Sequence, residues 1–162
     1  GIGLLVIEAA IMAKKRQLCI RNCFCHGKLL KPNVRASFVV DTLTYLYRGG
    51  RCNAVAAMAG GVLKLHPKIV VENGAMDATK KYRGKINSVI MSYVKDMETD
   101  LKAARPDRVF ITHSGCDAAT VESVRSYLES LGVFHEILET RAGGVVSSHC
   151  GPGTLGVLFI AK

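Results

Sequence analysis

The sequence predicts an α/β domain built on a mixed β-sheet with flanking helices. A strand, a helix and a second strand follow one another between Val109 and Leu138, and such a βαβ unit places its two strands in parallel. The dipeptide Asn73-Gly74 separates two strand-like segments and predicts an antiparallel hairpin. The chain of 162 residues suits one domain. Parallel and antiparallel strands together predict a mixed sheet.

The composition is that of a globular protein with an excess of positive charge. Apolar residues make up 49% and charged residues 22% of the chain, which does not fit a disordered protein. Lys and Arg number 22 against 13 Asp and Glu, so an anionic partner is favoured. The basic residues are scattered and lack the interleaved aromatic residues that stack on bases, so nucleic acid is not predicted as a partner.

The first half of the chain is predicted to alternate helices and strands. Glycine in the Arg48–Arg51 segment fits the left-handed position at a helix end, and a proline inside a strand predicts an edge or a bulge. The predicted segments are a helix over Gly1–Ala13, a polar segment with a short helix over Lys14–Pro32, a strand over Val34–Val40, a helix capped by Asp41 that runs through Leu43, Leu46 and Tyr47, a small-residue helix over Asn53–Leu63, a strand with Pro67 over Leu65–Val71, and a return strand over Ala75–Thr79.

The second half begins with a long amphipathic helix. Its apolar residues recur every three or four positions, which is the period of one helix face. The predicted segments are this helix over Arg83–Ala104, closed by Pro106, a strand over Arg108–Thr112, a helix capped by Asp117 with Val121, Val124, Leu128 and Leu131 inward and Gly132 at its end, a strand over Val133–Leu138, a short helix over Arg141–Ser148 and a final strand over Thr154–Ala161.

Six cysteines raise the question of disulfides or a metal. Cys19, Cys23, Cys25 and His26 form a C-x3-C-x-C-H pattern that lacks the C-x2-C spacing of common zinc sites, so no metal site is predicted. The apolar segment Gly1–Ala13 lacks the basic leader and cleavage pattern of a secretory signal and is too short to span a bilayer. Reduced thiols in a cytoplasmic protein are therefore expected.

The segment S-S-H-C-G-P-G, from Ser147 to Gly153, is the strongest candidate for a binding site. A neutral imidazole at His149 can donate one hydrogen bond to a carboxylate, and a protonated ring adds charge. A glycine such as Gly151 lets a ligand approach the backbone closely. The alternative is a solvent-exposed histidine in a loop, or one that donates to a nearby carbonyl. Arg48 and Arg51 either face an anion or are solvated at a helix end, where cations are favoured.

A second candidate, His113-Ser114 with Cys116, suggests a nucleophile. Neighbours along one strand end rarely form a nucleophile and its base, and no orienting acid with a known motif accompanies them. No phosphate-binding glycine motif is present either. The sequence therefore does not predict an enzyme.

Taken in order, the motifs resemble those of the DegV family, and the resemblance covers essentially the whole chain. The matching segments are F-V-V-D-T-L-T-Y-L-Y-R-G-G-R (Phe38–Arg51), L-H-P (Leu65–Pro67), E-N-G (Glu72–Gly74), K-Y-R-G (Lys81–Gly84), Ser114-Gly115 ahead of a helix, and S-H-C-G-P-G (Ser148–Gly153). One departure is His66, where the family usually has lysine.

The resemblance implies a bacterial, cytoplasmic α/β protein that binds a fatty acid. DegV proteins have two domains, and several are the lipid-carrying subunit of a fatty-acid kinase. Their acyl carboxylate is held by hydroxyl residues of the N-terminal domain and by the histidine ahead of the G-P-G turn, which corresponds to His149. Residues 1–162 resemble the C-terminal portion only, so we expect a DegV-like C-terminal domain without the family's N-terminal domain.

These expectations combine into one predicted function. The chain is expected to bind a long-chain fatty acid such as palmitate, with His149, Ser148, Gly151 and Arg51 as candidate ligand-binding residues. No catalytic residue, metal or cofactor is expected; a fatty-acid kinase is the expected protein partner, and transient contact with a membrane is allowed. The alternative is an interaction domain that docks a kinase-like partner or an acidic surface and binds no lipid alone. A hydrolase using Ser or Cys is a third interpretation.

Overall fold

The computed structural model describes residues 2–14, 30–50, 65–72 and 74–162. These residues form a six-stranded sheet with helices on both faces. The elements in chain order are α1 (Ile2–Lys14), a 3-10 turn (Lys31–Asn33), β1 (Val34–Val39), α2 (Thr44–Arg48), β2 (Leu65–Glu72), β3 (Ala75–Arg83), α3 (Ile86–Asp96), α4 (Glu98–Lys102), β4 (Ala104–Ser114), α5 (Ala118–Ser130), β5 (Glu136–Arg141), α6 (Gly144–Cys150) and β6 (Thr154–Ala161).

The sheet is mixed, as the sequence predicts. Its strands lie in the order β3-β2-β1-β6-β4-β5. The pair β4–β5 is parallel, and the other neighbouring pairs are antiparallel. The βαβ unit and the β2–β3 hairpin are therefore confirmed. The return strand extends to Arg83, beyond the predicted end at Thr79.

One face of the sheet carries the larger core, beneath α3, α4 and α5. The predicted apolar stripe of the long helix is buried there together with the inner face of α5. A single helix from Arg83 to Ala104 is wrong at both ends, because Arg83 belongs to β3 and Ala104 begins β4. Gly84, at a φ of 132°, separates strand from helix, and the helix divides at Met97.

The opposite face is covered by two separate groups of helices. Under α1, one cluster includes Leu4, Phe110 and Ile160. Beneath α2 and α6, a second cluster includes Leu46 and Cys150. This face is therefore divided into two apolar areas.

Two prolines occupy strands in ways that the sequence only partly predicts. Pro67 lies in β2, which has a neighbour on each side, so an edge position is wrong. A register shift follows directly, between Lys68 and Ile69, so the predicted bulge is confirmed. Pro106 lies inside β4, where pairing with β6 is interrupted between Ala104 and Val109. It accommodates an irregularity in the strand and does not close a helix.

One of the two predicted helix caps is present in the structure, and the strand β5 begins later than predicted. Asp117 caps α5, with the Thr120 backbone N–H donating to its Oδ1 at 2.7 Å. Asp41 does not cap α2, whose first helical residue is Thr44 and which has no side-chain cap. Because Gly132 ends α5 at a φ of 63° and a connection follows, β5 begins three residues after the predicted Val133. The predicted elements within residues 15–29 and 51–64 lie outside the described residues.

Candidate functional site

Both ends of α6, the helix that carries His149, are fixed to consecutive carbonyl groups at the end of β4. The Ala142 N–H donates to the His113 carbonyl at 2.9 Å, just before the helix. The Gly153 N–H donates to the Ser114 carbonyl at 2.8 Å, just after it. The backbone can therefore hold this short helix at one end of the sheet, although seven residues are few for a stable isolated helix.

Helices α2 and α6 pack against each other through rings and glycines. A Cβ atom built on Gly49 would lie 2.1 Å from Nδ1 of His149, and one built on Gly151 would lie 2.3 Å from Cδ2 of Tyr45. Real Cβ atoms do not approach other atoms so closely, so each ring lies directly on glycine backbone. Leu46 of α2 and Cys150 of α6 are buried in the same apolar cluster.

His149 lies in the last turn of α6 and not in a loop, as the alternative interpretation of the sequence would have it. Its side chain is half-buried. Within the residues that the structure describes, neither ring nitrogen has a hydrogen-bond partner. The Nδ1 edge faces Gly49, so the opposite edge is the one available to a ligand. This imidazole can donate or accept a hydrogen bond without first breaking one.

The other candidate ligand-binding residues differ in position. Ser148 is exposed, and its Oγ donates to the Val145 carbonyl at 2.8 Å. Gly151 is buried at a φ of 78°, in the left-handed region that favours glycine. Arg51 lies outside the described residues. Arg48 ends α2, is exposed and forms no ion pair with any described carboxylate.

Asp41 and His66 support the same end of the sheet. His66 is buried, with Nε2 3.0 Å from the Gly84 carbonyl and Nδ1 3.3 Å from the Val40 carbonyl. Its Nδ1 also lies 3.5 Å from Oδ1 of Asp41. A Cβ atom on Gly153 would lie 3.4 Å from that of Asp41, so the contact between Asp41 and His66 borders the turn after α6. The sequence does not reveal this contact, because the two residues are far apart along the chain.

The residues of the suggested nucleophile make contacts of other kinds. His113 Nε2 faces Oε1 of Glu139 at 3.3 Å. Cys116 donates its thiol to the Thr154 carbonyl at 3.4 Å, and burial raises its pKa to about 11. A thiol with a raised pKa is a poor nucleophile at neutral pH. The geometry therefore gives no support to a Cys hydrolase.

The described residues contain neither a candidate metal site nor a helix that could span a membrane. No group of three or more His, Cys, Asp or Glu side chains among them could hold a metal ion. Cys19, Cys23, Cys25 and His26 lie outside those residues. None of the described helices combines the length and apolar character needed to cross a bilayer.

Gly49 and Tyr45 contact the candidate site residues His149 and Gly151, and sequence reasoning did not single them out. The Gly49-Gly50 pair was visible as a helix end, but only Gly50 has the left-handed backbone expected there, at a φ of 65°. Gly49 has a φ of −77°, which any residue adopts. The helix end requires only one glycine, Gly50. The additional glycine at position 49 was therefore the signal in the sequence that another group packs against the backbone there.

Comparison with known proteins gives a consistent family assignment. A sequence model of the family described as "Uncharacterised protein, DegV family" matches residues 1–162. A DegV domain-containing protein of Clostridium perfringens is 32% identical over 161 residues, which cover 99% of this chain and 54% of that protein. This chain thus spans about half the length of that relative.

Solved structures share the fold. The fatty-acid-binding DegV family protein from Thermus thermophilus superposes with a TM-score of 0.85 at 25% identity, over 99% of this chain and 56% of that one. The Fak B3 protein of the Streptococcus pneumoniae fatty acid kinase, loaded with linoleic acid, gives a TM-score of 0.82 at 13% identity, over 99% and 56%. At that identity the second comparison concerns the fold alone.

Proposed function

The chain belongs to the DegV family, and from this premise we propose that it binds a long-chain fatty acid whose carboxylate contacts His149. The observation that carries the proposal is the half-buried imidazole on α6, which has no hydrogen-bond partner among the described residues. A carboxylate can accept a hydrogen bond from this ring, and the charged acceptor strengthens that bond.

Groups beside His149 also favour an anionic headgroup. Gly151 follows on the same helix end, and its missing side chain leaves the backbone open to close approach. Arg48 adjoins Gly49 and pairs with no described carboxylate. We include Ser148 and Arg51 as further ligand-binding candidates, with the Ser148 hydroxyl free to turn from the Val145 carbonyl toward a ligand.

An apolar strip for the acyl chain lies on the same face of the sheet. Phe38 and Leu158 are only partly buried, although each packs at the border of one of the two clusters. Phe38 pairs in register with Gly156, which has no side chain to cover the strands. An acyl chain along this strip would bury apolar surface at about 25 cal/mol per Å².

Membership of the family supports a proposal for the wider role of the protein. We propose that residues 1–162 form the C-terminal domain of a cytoplasmic protein that carries lipid for a fatty-acid kinase. The protein is proposed to have no catalytic activity of its own and no cofactor other than the bound lipid. Palmitate is a suitable probe for this function.

The direct test is native mass spectrometry of the purified protein. The expected result is a co-purified acyl chain, or, after delipidation, uptake of added palmitate in a one-to-one complex. A lipid-free preparation that takes up no palmitate would contradict the proposal. The same measurement on His149→Ala shows whether the imidazole takes part, because that variant is expected to hold less palmitate.

A second candidate function is an interaction domain, which one specific observation favours. Tyr47 on α2 and Val145 and Val146 on α6 are 59%, 73% and 52% exposed. Large apolar side chains on neighbouring helices are typical of surfaces that contact another protein. A kinase-like partner that binds the delipidated protein as tightly as the loaded one would favour this candidate over the lipid carrier.

A further inference from the structure

Helices α2 and α6 meet through two reciprocal contacts. In each contact, a ring on one helix lies against the glycine that ends the other helix. His149, from α6, lies against Gly49 at the end of α2. Tyr45, from α2, lies against Gly151 at the end of α6. A Cβ atom on either glycine would come closer than 3.0 Å to at least two atoms of the facing ring.

Backbone conformation does not explain the glycine at position 49. Its φ of −77° and ψ of −4° are right-handed helical values that alanine adopts more readily than glycine does. The next residue, Gly50, is the opposite case, with a φ of 65° and no atom within 4 Å of a built Cβ. Among the described residues, the atoms that leave no room for a Cβ at position 49 are those of the His149 ring.

From this contact we infer that Gly49 is a positioning residue for His149. The missing Cβ lets the imidazole lie with its Nδ1 edge on the α2 backbone, which directs the other edge toward the ligand. Tyr45 fixes the end of α6 from the opposite side. The effect on lipid binding rests on the proposed function, whereas the contact between the ring and Gly49 does not.

A single substitution separates this role from general packing. The three atoms nearest to a Cβ on Gly49 all belong to the His149 ring, so Gly49→Ala displaces the ring and not the backbone. Gly144→Ala is the matched control, because Gly144 lies in α6 with no atom within 4 Å of a built Cβ. Both variants replace a glycine by alanine, at the end of α2 in one case and at the start of α6 in the other.

The first readout is the NMR signal of the His149 ring in the delipidated protein, assigned by its loss in His149→Ala. Gly49→Ala is expected to shift this signal, while Gly144→Ala leaves it unchanged. An unchanged ring signal in Gly49→Ala would overturn the inference. This readout is independent of lipid binding.

The second readout is palmitate affinity in a double-mutant cycle. Gly49→Ala and His149→Ala are each expected to weaken binding about tenfold or more, equivalent to about 1.4 kcal/mol for each factor of ten. The double variant should bind like His149→Ala alone, because the ring that Gly49 positions is already missing. Additive losses would contradict the positioning role. If His149→Ala binds palmitate with full affinity, the proposed carboxylate site is refuted. The positioning role of Gly49 is then tested by the NMR signal of the His149 ring alone.

Discussion

The hydroxyl of Tyr93 donates to the Ser37 carbonyl at 2.8 Å and joins helix α3 to the centre of the sheet. It also accepts the backbone N–H of Val157 at 3.1 Å, and lies 2.9 Å from Oγ of Ser37. Tyr93 is fully buried, and Ser37 and Val157 face each other across β1 and β6. One hydroxyl therefore satisfies polar groups of two strands inside the core.

Replacing this tyrosine tests the value of the buried hydroxyl. Tyr93→Phe is expected to lower the free energy of unfolding by about 1–3 kcal/mol, because polar groups of both strands lose a partner inside the core. Urea denaturation measures the change. Tyr127→Phe is the matched control, because that hydroxyl contacts Glu98 near the surface, and its loss should have a smaller effect. Equal losses in the two variants would show that burial does not set the cost.

The sequence was sufficient to predict a mixed sheet, its hairpin and its βαβ unit, but not the order in which the six strands pair. Local signals placed the hairpin at Asn73-Gly74 and the cap at Asp117, because turn geometry and capping depend on residues close in the chain. Asp41 was expected to cap a helix for the same reason, but its carboxylate instead borders His66. That contact depends on the pairing of β1 with β2, which local patterns do not specify.

The candidate site shows the same division. His149 and Gly151 are predicted as site residues from a local motif, but that motif did not predict that His149 lies within a helix or that its ring contacts Gly49. Position 49 precedes position 149 by a hundred residues, and only the folded chain brings them together. Single-sequence reasoning has no access to such a pair.

Groups with raised pKa values predict how stability changes at alkaline pH. Burial raises the pKa of the Cys116 thiol from about 9 to about 11, and burial with the Glu98 hydrogen bond raises that of Tyr127 to about 12. Burial also raises the pKa of Tyr93. At a pH between the ordinary pKa of such a group and its raised pKa in the folded protein, the group has lost its proton in the unfolded chain but retains it in the folded chain. The free energy of unfolding therefore falls as pH rises through this range.

Urea midpoints measured from pH 8 to about pH 11 check this prediction. The midpoint is expected to decrease steadily above about pH 9, the ordinary thiol value. In Cys116→Ser the urea midpoint should begin to decrease at a higher pH. The reason is that the ordinary pKa of a thiol, about 9, lies below that of a tyrosine hydroxyl, about 10. A midpoint that stays constant or rises through this window would contradict the assignment.

The attachment of α1 depends on a buried ion pair. Arg108 of β4 donates to Glu8 of α1 and also to Glu136, at 3.2 Å. Glu8→Ala is expected to lower the free energy of unfolding by about 2 kcal/mol, because a hydrogen bond between charged groups is lost inside the protein. Hydrogen exchange should show faster opening of α1 in particular.

A surface carboxylate provides the control for this prediction. Glu122 is exposed and lies 3.8 Å from Nε of Arg125 within one helix. Glu122→Ala should change the free energy of unfolding by less than about 1 kcal/mol, since exposed ion pairs contribute little. Comparable losses in Glu8→Ala and Glu122→Ala would mean that α1 does not depend on the buried pair.

The proposed carboxylate contact predicts the binding phenotype of His149→Ala. In a version that spans the full length of the DegV relatives, the variant should lose about 1–3 kcal/mol of fatty-acid binding free energy, the value of a hydrogen bond to a charged group. Titration with palmitate measures the loss. His135→Ala is the matched control, because His135 is exposed in the connection before β5. Because the proposed contact involves only the headgroup, the loss should be the same for acyl chains of different length. A loss that varies with chain length, or no loss, would remove His149 from the carboxylate site.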